Sequence, residues 1–292
     1  MITGVIIKGI GGRYYVKSDE VVYECSARGK FRNQSLTPMV GDKVDILQGA
    51  AHSDSHGSIE HIHQRKTMLI RPAVANIDQL VIVAALSAPQ PNLELVDNFL
   101  LLGEIIGIDI VLCLNKTDLT DAGEIRYIYE KAGYPVICTS AVESNGLGEL
   151  REALSGKISA FAGNSGVGKS SILNALGLEH KMETGEVSKK IQRGRHTTRH
   201  VELLQLPSGG LVLDTPGFST FELPNIRAQE LERYFPEFAD HLGGCRFRGC
   251  SHTSEPDCAV LEALGNGDIS PQRHDSYVNI YTELKKVKEW ER

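Results

Sequence analysis

Three short strings in this 292-residue chain carry residue types and spacings suited to nucleotide chemistry. Gly163-Asn164-Ser165-Gly166-Val167-Gly168-Lys169-Ser170 fits the pattern G-x-x-x-x-G-K-[ST] and is followed by Ser171. Backbone N–H groups of such a loop form a concave nest for phosphate oxygens. Lys169 would reach the β- and γ-phosphates, and the Ser170 hydroxyl would ligate Mg²⁺. Asn115-Lys116-Thr117-Asp118 offers a carboxylate that can accept from the N1–H and exocyclic amine of guanine, a donor pair that adenine lacks. Asp214-Thr215-Pro216-Gly217 would hold a Mg²⁺-bound water through Asp214 and meet the γ-phosphate with the Gly217 N–H.

The flanking elements agree with these roles. Ile158–Ala162 reads as a buried strand ahead of the glycine loop, and Ser171–Leu176 as the opening of a helix behind it. Asn115 follows the strand-like run Ile110–Leu114, at a carboxyl end where α/β sheets bind ligands. One strand later, Thr139-Ser140-Ala141 resembles the loop that touches the guanine oxygen in GTPases; alone it would pass for an ordinary strand-to-loop turn. Arg193–Arg199 is polar and lacks hydrophobic period, as expected of a switch that orders around γ-phosphate and Mg²⁺. Thr198 is the expected second hydroxyl on the magnesium, with Thr197 the alternative. Phe218 follows the DxxG, where a glutamine often orients the attacking water, and a phenyl ring cannot do so. His196 is the candidate to replace it, against the alternative of a solvated switch histidine.

The order is rotated: the base-reading string precedes the phosphate loop, and the DxxG comes last. On these residues, with Gly194-Arg195-His196-Thr197-Thr198-Arg199-His200 and the cysteine cluster below, the chain resembles the circularly permuted GTPases, and closely the RsgA (YjeQ/YloQ-type) small ribosomal subunit biogenesis GTPases of bacteria. The resemblance spans essentially the whole length. It implies an OB-fold, a permuted P-loop GTPase domain and a zinc-binding terminal domain. It further implies GTP hydrolysis stimulated by the small ribosomal subunit, contact with its rRNA, and a role in its late maturation. Asn164 stands where glutamine is usual in the family.

The expected division is residues 1–66, 67–224 and 225–292. Residues 1–66 carry short β-branched or aromatic runs (Val5–Lys8, Arg13–Lys17, Val21–Cys25, Lys43–Leu47) that suit a small barrel, either OB-fold or SH3-like. Arg28-Gly29-Lys30-Phe31-Arg32 is a basic, aromatic loop suited to RNA or else a solvated turn. His52, His56, His61 and His63 with Asp54 could form a metal site; the preferred reading is a flexible surface loop. Residues 67–224 alternate strand and helix, as βαβ units with a parallel sheet require.

In residues 225–292, Cys245-x4-Cys250-x-His252-x5-Cys258 supplies three thiolates and one imidazole, a complete tetrahedral set for a structural zinc. Leu231, Tyr234 and Phe235 suggest one helix, and Tyr277, Ile280, Tyr281, Leu284 and Val287 a second, both read as packing stripes.

Composition restricts the alternatives. Hydrophobic content of 41% and charged content of 23% are those of a globular protein. No run of eighteen apolar residues or signal pattern is present, so membrane association is not expected and a cytoplasmic location is. The net charge of −6 excludes general polycation character, so RNA contact must come from local patches such as Arg28, Lys30 and Arg32. A small-molecule kinase is disfavoured by the guanine-type string, and a monomer is expected.

Overall fold

The computed structural model describes residues 1–29, 31, 36–48, 56–70, 72–178, 201–214 and 226–286. Two compact units emerge: residues 1–80, 147–161 and 169–218 in the first, and 81–146, 162–168 and 219–292 in the second.

The first unit opens with five strands: β1 (Ile2–Ile10), β2 (Arg13–Ser18), β3 (Val21–Ala27), β4 (Lys43–Gln48) and β5 (His56–Ile62). They pair β1–β2, β2–β3, β3–β5, β5–β4 and β4–β1, which closes a barrel and leaves no free edge. The β3–β5 pair is parallel and the other four are antiparallel, an OB-type connectivity. Ile6, Val16, Val44, Ile46 and Ile59 are fully buried inside it. The β1–β2 turn is Gly11-Gly12, with φ of 59° and 82°, the doubly left-handed backbone that a two-residue hairpin turn demands. At one end Arg65 grips the fully buried Asp42 with two bonds, Nε–Oδ1 at 2.7 Å and Nη2–Oδ2 at 2.8 Å. For His56 and His61, strand β5 replaces the expected flexible loop; His52 and Asp54 lie outside the described residues. The buried Ile59 and Ile62 of β5 supply the inward positions, which the histidine-rich composition obscures.

A short hairpin of β6 (Met68–Ile70) and β7 (Ala73–Ala75) follows. The same unit holds α3 (Leu147–Leu154), most of β11 (Ile158–Ala162), α4 (Lys169–Leu173), β12 (Glu202–Gln205) and β13 (Leu211–Asp214). Strand β13 lies parallel to β11 and antiparallel to β12, and β12 meets β1 through the Lys8↔Glu202 pair, an ion pair at 2.7 Å.

The second unit is built on most of β8 (Gln79–Ala85), with β9 (Asp109–Asn115) and β10 (Val136–Thr139) in the order β10-β9-β8. All seven residues of β8 are buried, the pattern of a strand covered on both faces. Helix α1 (Leu93–Ile106) starts where the Asn92 side chain accepts from the Leu95 N–H and stops at Gly107, φ 74°. Helix α2 (Gly123–Lys131) joins β9 to β10.

Beyond residue 225 lie 3-10 turns at Ala228–Tyr234 and Pro236–His241, then α5 (Ala259–Gly265) and α6 (Pro271–Lys286). The expected first helix is thus a 3-10 segment, cut short by Pro236. Leu231, Phe235, Phe238, Tyr277, Ile280 and Leu284 pack into one core with Leu101 of α1, so the two stripes are packing faces; Val287 lies outside the described residues. No described helix is long and apolar enough to cross a membrane.

Candidate functional site: a guanine-type loop bonded to a phosphate loop

Asn115 ends β9 with 2% of its surface exposed. Its amide nitrogen donates to the Val167 carbonyl at 2.8 Å, and its Oδ1 accepts from the Thr139 hydroxyl at 3.1 Å. Lys116 adopts a left-handed backbone, φ 70°, and its ammonium donates to the carbonyls of Gly166, at 2.9 Å, and Ala88. Thr117 donates its N–H (3.2 Å) and its hydroxyl (3.1 Å) to the Thr139 carbonyl. Asp118 accepts from the Ser140 hydroxyl at 2.6 Å, and that same hydroxyl accepts from the Glu143 N–H at 3.1 Å. Ala141 follows directly. The carboxyl ends of β9 and β10 therefore hold one polar network, with Asp118 oriented by Ser140.

Loop 163–168 faces that network. Gly163, Gly166 and Gly168 have φ of 138°, 81° and 98°, backbone that L side chains rarely adopt. A Cβ on Gly168 would overlap the Asn115 amide nitrogen, and one on Gly163 would overlap the Val83 carbonyl. Glycine at 168 is thus required by Asn115 as well as by the turn. Ser165 and Gly166 are exposed, Asn164 is half-buried, and Val167 anchors the loop at 5% exposure.

The chain passes from Gly168 directly into α4, which begins at Lys169 and carries Ser170 and Ser171 in its first turn. Burial pushes the Lys169 amine below the ordinary lysine value, a cost that adjacent phosphate charge would offset. Asp214 is the last residue of β13. Its carboxylate, Thr215 to Phe218 with Gly217, and the switch string with His196, Thr197 and Thr198 lie outside what is described, as do Lys30 and Arg32.

The ligand atoms of Cys245, Cys250, His252 and Cys258 all lie within 4.8 Å of one another. The Cys245 and Cys258 sulfurs are 3.8 Å apart, and His252 Nδ1 is 3.5 and 3.3 Å from them. A tetrahedral zinc with its usual bond lengths has edges of about 3.8 Å between sulfurs and about 3.5 Å from sulfur to nitrogen. The donor set fits zinc. Burial above all pushes the Cys250 thiol up to about 12, so thiolates here need the charge of a bound cation. Cys25 and Cys113, pushed by burial up to about 11 and about 12, are inert core thiols.

Two participants carry no spacing signal in the sequence. Glu232 accepts at 2.8 Å from His252 Nε2, which leaves Nδ1 for the metal. Glu255 binds the Ser251 hydroxyl and the N–H groups of Ser251, Thr253 and Ser254. Burial would raise its carboxyl, but these bonds outweigh it and hold the group at about 2.

A parallel sheet with a guanine-type loop ahead of its phosphate loop defines a circularly permuted P-loop GTPase. The first unit's barrel and the Cys/His turn after residue 225 frame that domain in sequence. The chain belongs to the RsgA GTPase family: residues 62–224 match "RsgA GTPase" and residues 3–59 match "RsgA N-terminal domain". A "Small ribosomal subunit biogenesis GTPase RsgA" of Ruminiclostridium cellulolyticum is 48% identical, covering 99% of this chain and 96% of that protein. Its counterpart from Geobacillus thermodenitrificans is 46% identical over 99% of each. The crystal structure of YjeQ from Thermotoga maritima aligns with a TM-score of 0.83 at 37% identity, covering 98% of this chain and 99% of that one. YloQ, described as a circularly permuted GTPase, aligns with a TM-score of 0.83 at 36% identity, covering 99% and 96%.

Proposed function

We propose that this GTPase acts as a late-stage assembly factor of the small ribosomal subunit, binding its rRNA and hydrolysing GTP faster when bound. The observation that carries this reading is the match, over nearly full length in both proteins, to relatives named as small ribosomal subunit biogenesis GTPases. The division of labour would follow residues 1–66 as an RNA-binding barrel, 67–224 as the GTPase domain and 225–292 as the zinc-binding domain. GTP or GDP would be held by Asn115 to Asp118, Ser140 and Ala141 at the base. At the phosphates the ligands would be Gly163 to Ser171, with Asp214 and Gly217. Magnesium would sit on Ser170 and Thr198, and one structural zinc on Cys245, Cys250, His252 and Cys258. His196 would position the attacking water in place of the glutamine that Phe218 displaces. The protein would work as a cytoplasmic monomer.

Permutation runs the segment after Gly217 straight into the metal-binding region, whereas the barrel enters ahead of the base-reading loop. A partner that grips both ends would then prefer one nucleotide state, and linkage makes that preference reciprocal. Sedimentation with purified small subunits, in GDP against a non-hydrolysable GTP analogue, tests this. Binding that favours the triphosphate form is expected, and equal binding in both states overturns the coupling. A Gly-Ser insertion after Thr220 should abolish the difference. Phe218 favours a second reading, a nucleotide-gated RNA-binding module with incidental turnover, for which subunits would bind without accelerating hydrolysis.

A further inference from the structure

The barrel of the first unit carries a second set of metal-type donors, remote in sequence from the cysteine cluster. Asp45 on β4 lies opposite Thr3 on β1 and opposite His61 on β5. His63 stands two residues beyond His61, so the period of a strand puts both imidazoles on the side of Asp45. That side faces outward, because the alternate residues Val44, Ile46 and Ile62 are buried. Asp45 Oδ1 accepts from the Thr3 hydroxyl at 2.7 Å and lies 3.0 Å from His63 Nε2. Asp45 Oδ2 is 3.7 Å from His61 Nδ1. The two rings meet edge to face, with centroids 5.0 Å apart. One ligand atom from each of the three residues lies within 4.8 Å of the others.

An ion pair explains only half of this arrangement. One imidazolium suffices to neutralise Asp45, and a second beside it would be repelled by the first. A neutral imidazole instead offers a ring lone pair. Two neutral imidazoles and a carboxylate form the donor set of zinc and its borderline neighbours. Ligand atoms on such an ion stand about 3.3 Å apart, and the 3.0 Å from His63 to Oδ1 and 3.7 Å from His61 to Oδ2 fall on either side of that value, so the two oxygens of Asp45 face one imidazole each. Thr3 supplies the outer contact that orients the carboxylate. His61 keeps 64% of its side chain exposed and His63 37%, so water can fill the remaining coordination positions.

We propose that Asp45, His61 and His63 form a second, solvent-open site for a borderline divalent transition cation, chemically distinct from the closed three-cysteine, one-histidine site. The β-barrel supplies its rigidity, since Asp45 and His61 face each other on the paired strands β4 and β5, His63 follows directly after β5, and the orienting Thr3 sits on β1 beside β4.

The test uses the full-length, tag-free protein with zinc already loaded, titrated calorimetrically with Ni²⁺ in a non-chelating buffer at pH 7.5. The expected result is one Ni²⁺ per chain beyond the zinc. It should be lost in the His61→Gln/His63→Gln variant, weakened about tenfold in Thr3→Val, and kept in His56→Gln. Circular dichroism and zinc content of each variant confirm that barrel and cysteine cluster are intact. No uptake by the wild type, or equal uptake by the wild type and the double variant, would overturn the proposal.

Discussion

Asn115 donates its side-chain amide to the Val167 carbonyl at 2.8 Å, so the loop at the end of β9 and the glycine-rich loop 163–168 are bonded to each other. The bond is buried, and Gly168 leaves room for it only because it has no side chain. Residues 52 apart in sequence thus meet at the sheet's carboxyl ends.

Loss of that bond should be felt by any guanine nucleotide. Asn115→Ala leaves the Val167 carbonyl without its partner, at a cost of about 1–3 kcal/mol, or roughly five- to 150-fold in affinity. Because the loop is proposed to cradle phosphates common to both ligands, the Kd values for GDP and GTP should rise together. Gly168→Ala should match it. Titration with fluorescent nucleotides measures this, and an unchanged Kd in both variants would count against the coupling.

Base choice should rest on Asp118. Guanine presents two donors to its carboxylate, whereas xanthine presents one donor and one carbonyl. Asp118→Asn supplies one acceptor and one donor, so it should weaken GTP binding and strengthen that of xanthosine triphosphate. Competition between the two nucleotides reads the switch; retained preference for GTP would remove Asp118 from the base-reading role.

Zinc binding at the Cys/His turn, as proposed, should depend on Glu232 through its contact with His252 Nε2. Glu232→Gln keeps the shape but loses the charge, and zinc affinity should fall about 10- to 100-fold. Competition with a chromophoric chelator checks it. Zinc retention equal to wild type would mean that His252 is oriented without that carboxylate.

A buried charge cluster ties α1 to the terminal helices. Arg273, 1% exposed, is bonded to Asp97 Oδ1 at 2.7 Å and to Glu237 Oε1 at 2.7 Å, and stacks 4.6 Å from the Phe235 ring. Burial opposes its charge, but the two carboxylates overturn that and hold the guanidinium well above its ordinary value. Asp97→Ala removes one partner and should cost about 3–5 kcal/mol. Denaturant unfolding should show a lower midpoint, and a midpoint within error of wild type would contradict the cluster's structural role.

The glycine-rich loop and the placement of Asn115 at a strand's carboxyl end were legible in the sequence because local geometry dictates residue types there: glycine where φ is positive, and an apolar run closing on a polar turn. The Cys/His set was legible for the same reason. Strand β5 was not, since its outward histidines masked the inward Ile59 and Ile62. Nor were the Thr139–Asn115 bond, Glu232 or the Asp97–Arg273 pair, whose partners come from distant segments. Such contacts have no local pattern. The fold alone brings them together.

The most direct measurement is steady-state GTP hydrolysis with purified small ribosomal subunits, with large subunits as control. The account predicts strong acceleration by small subunits alone, and a fall in the accelerated kcat with little change in KM for His196→Ala. Hydrolysis indifferent to small subunits would contradict the assembly-factor reading.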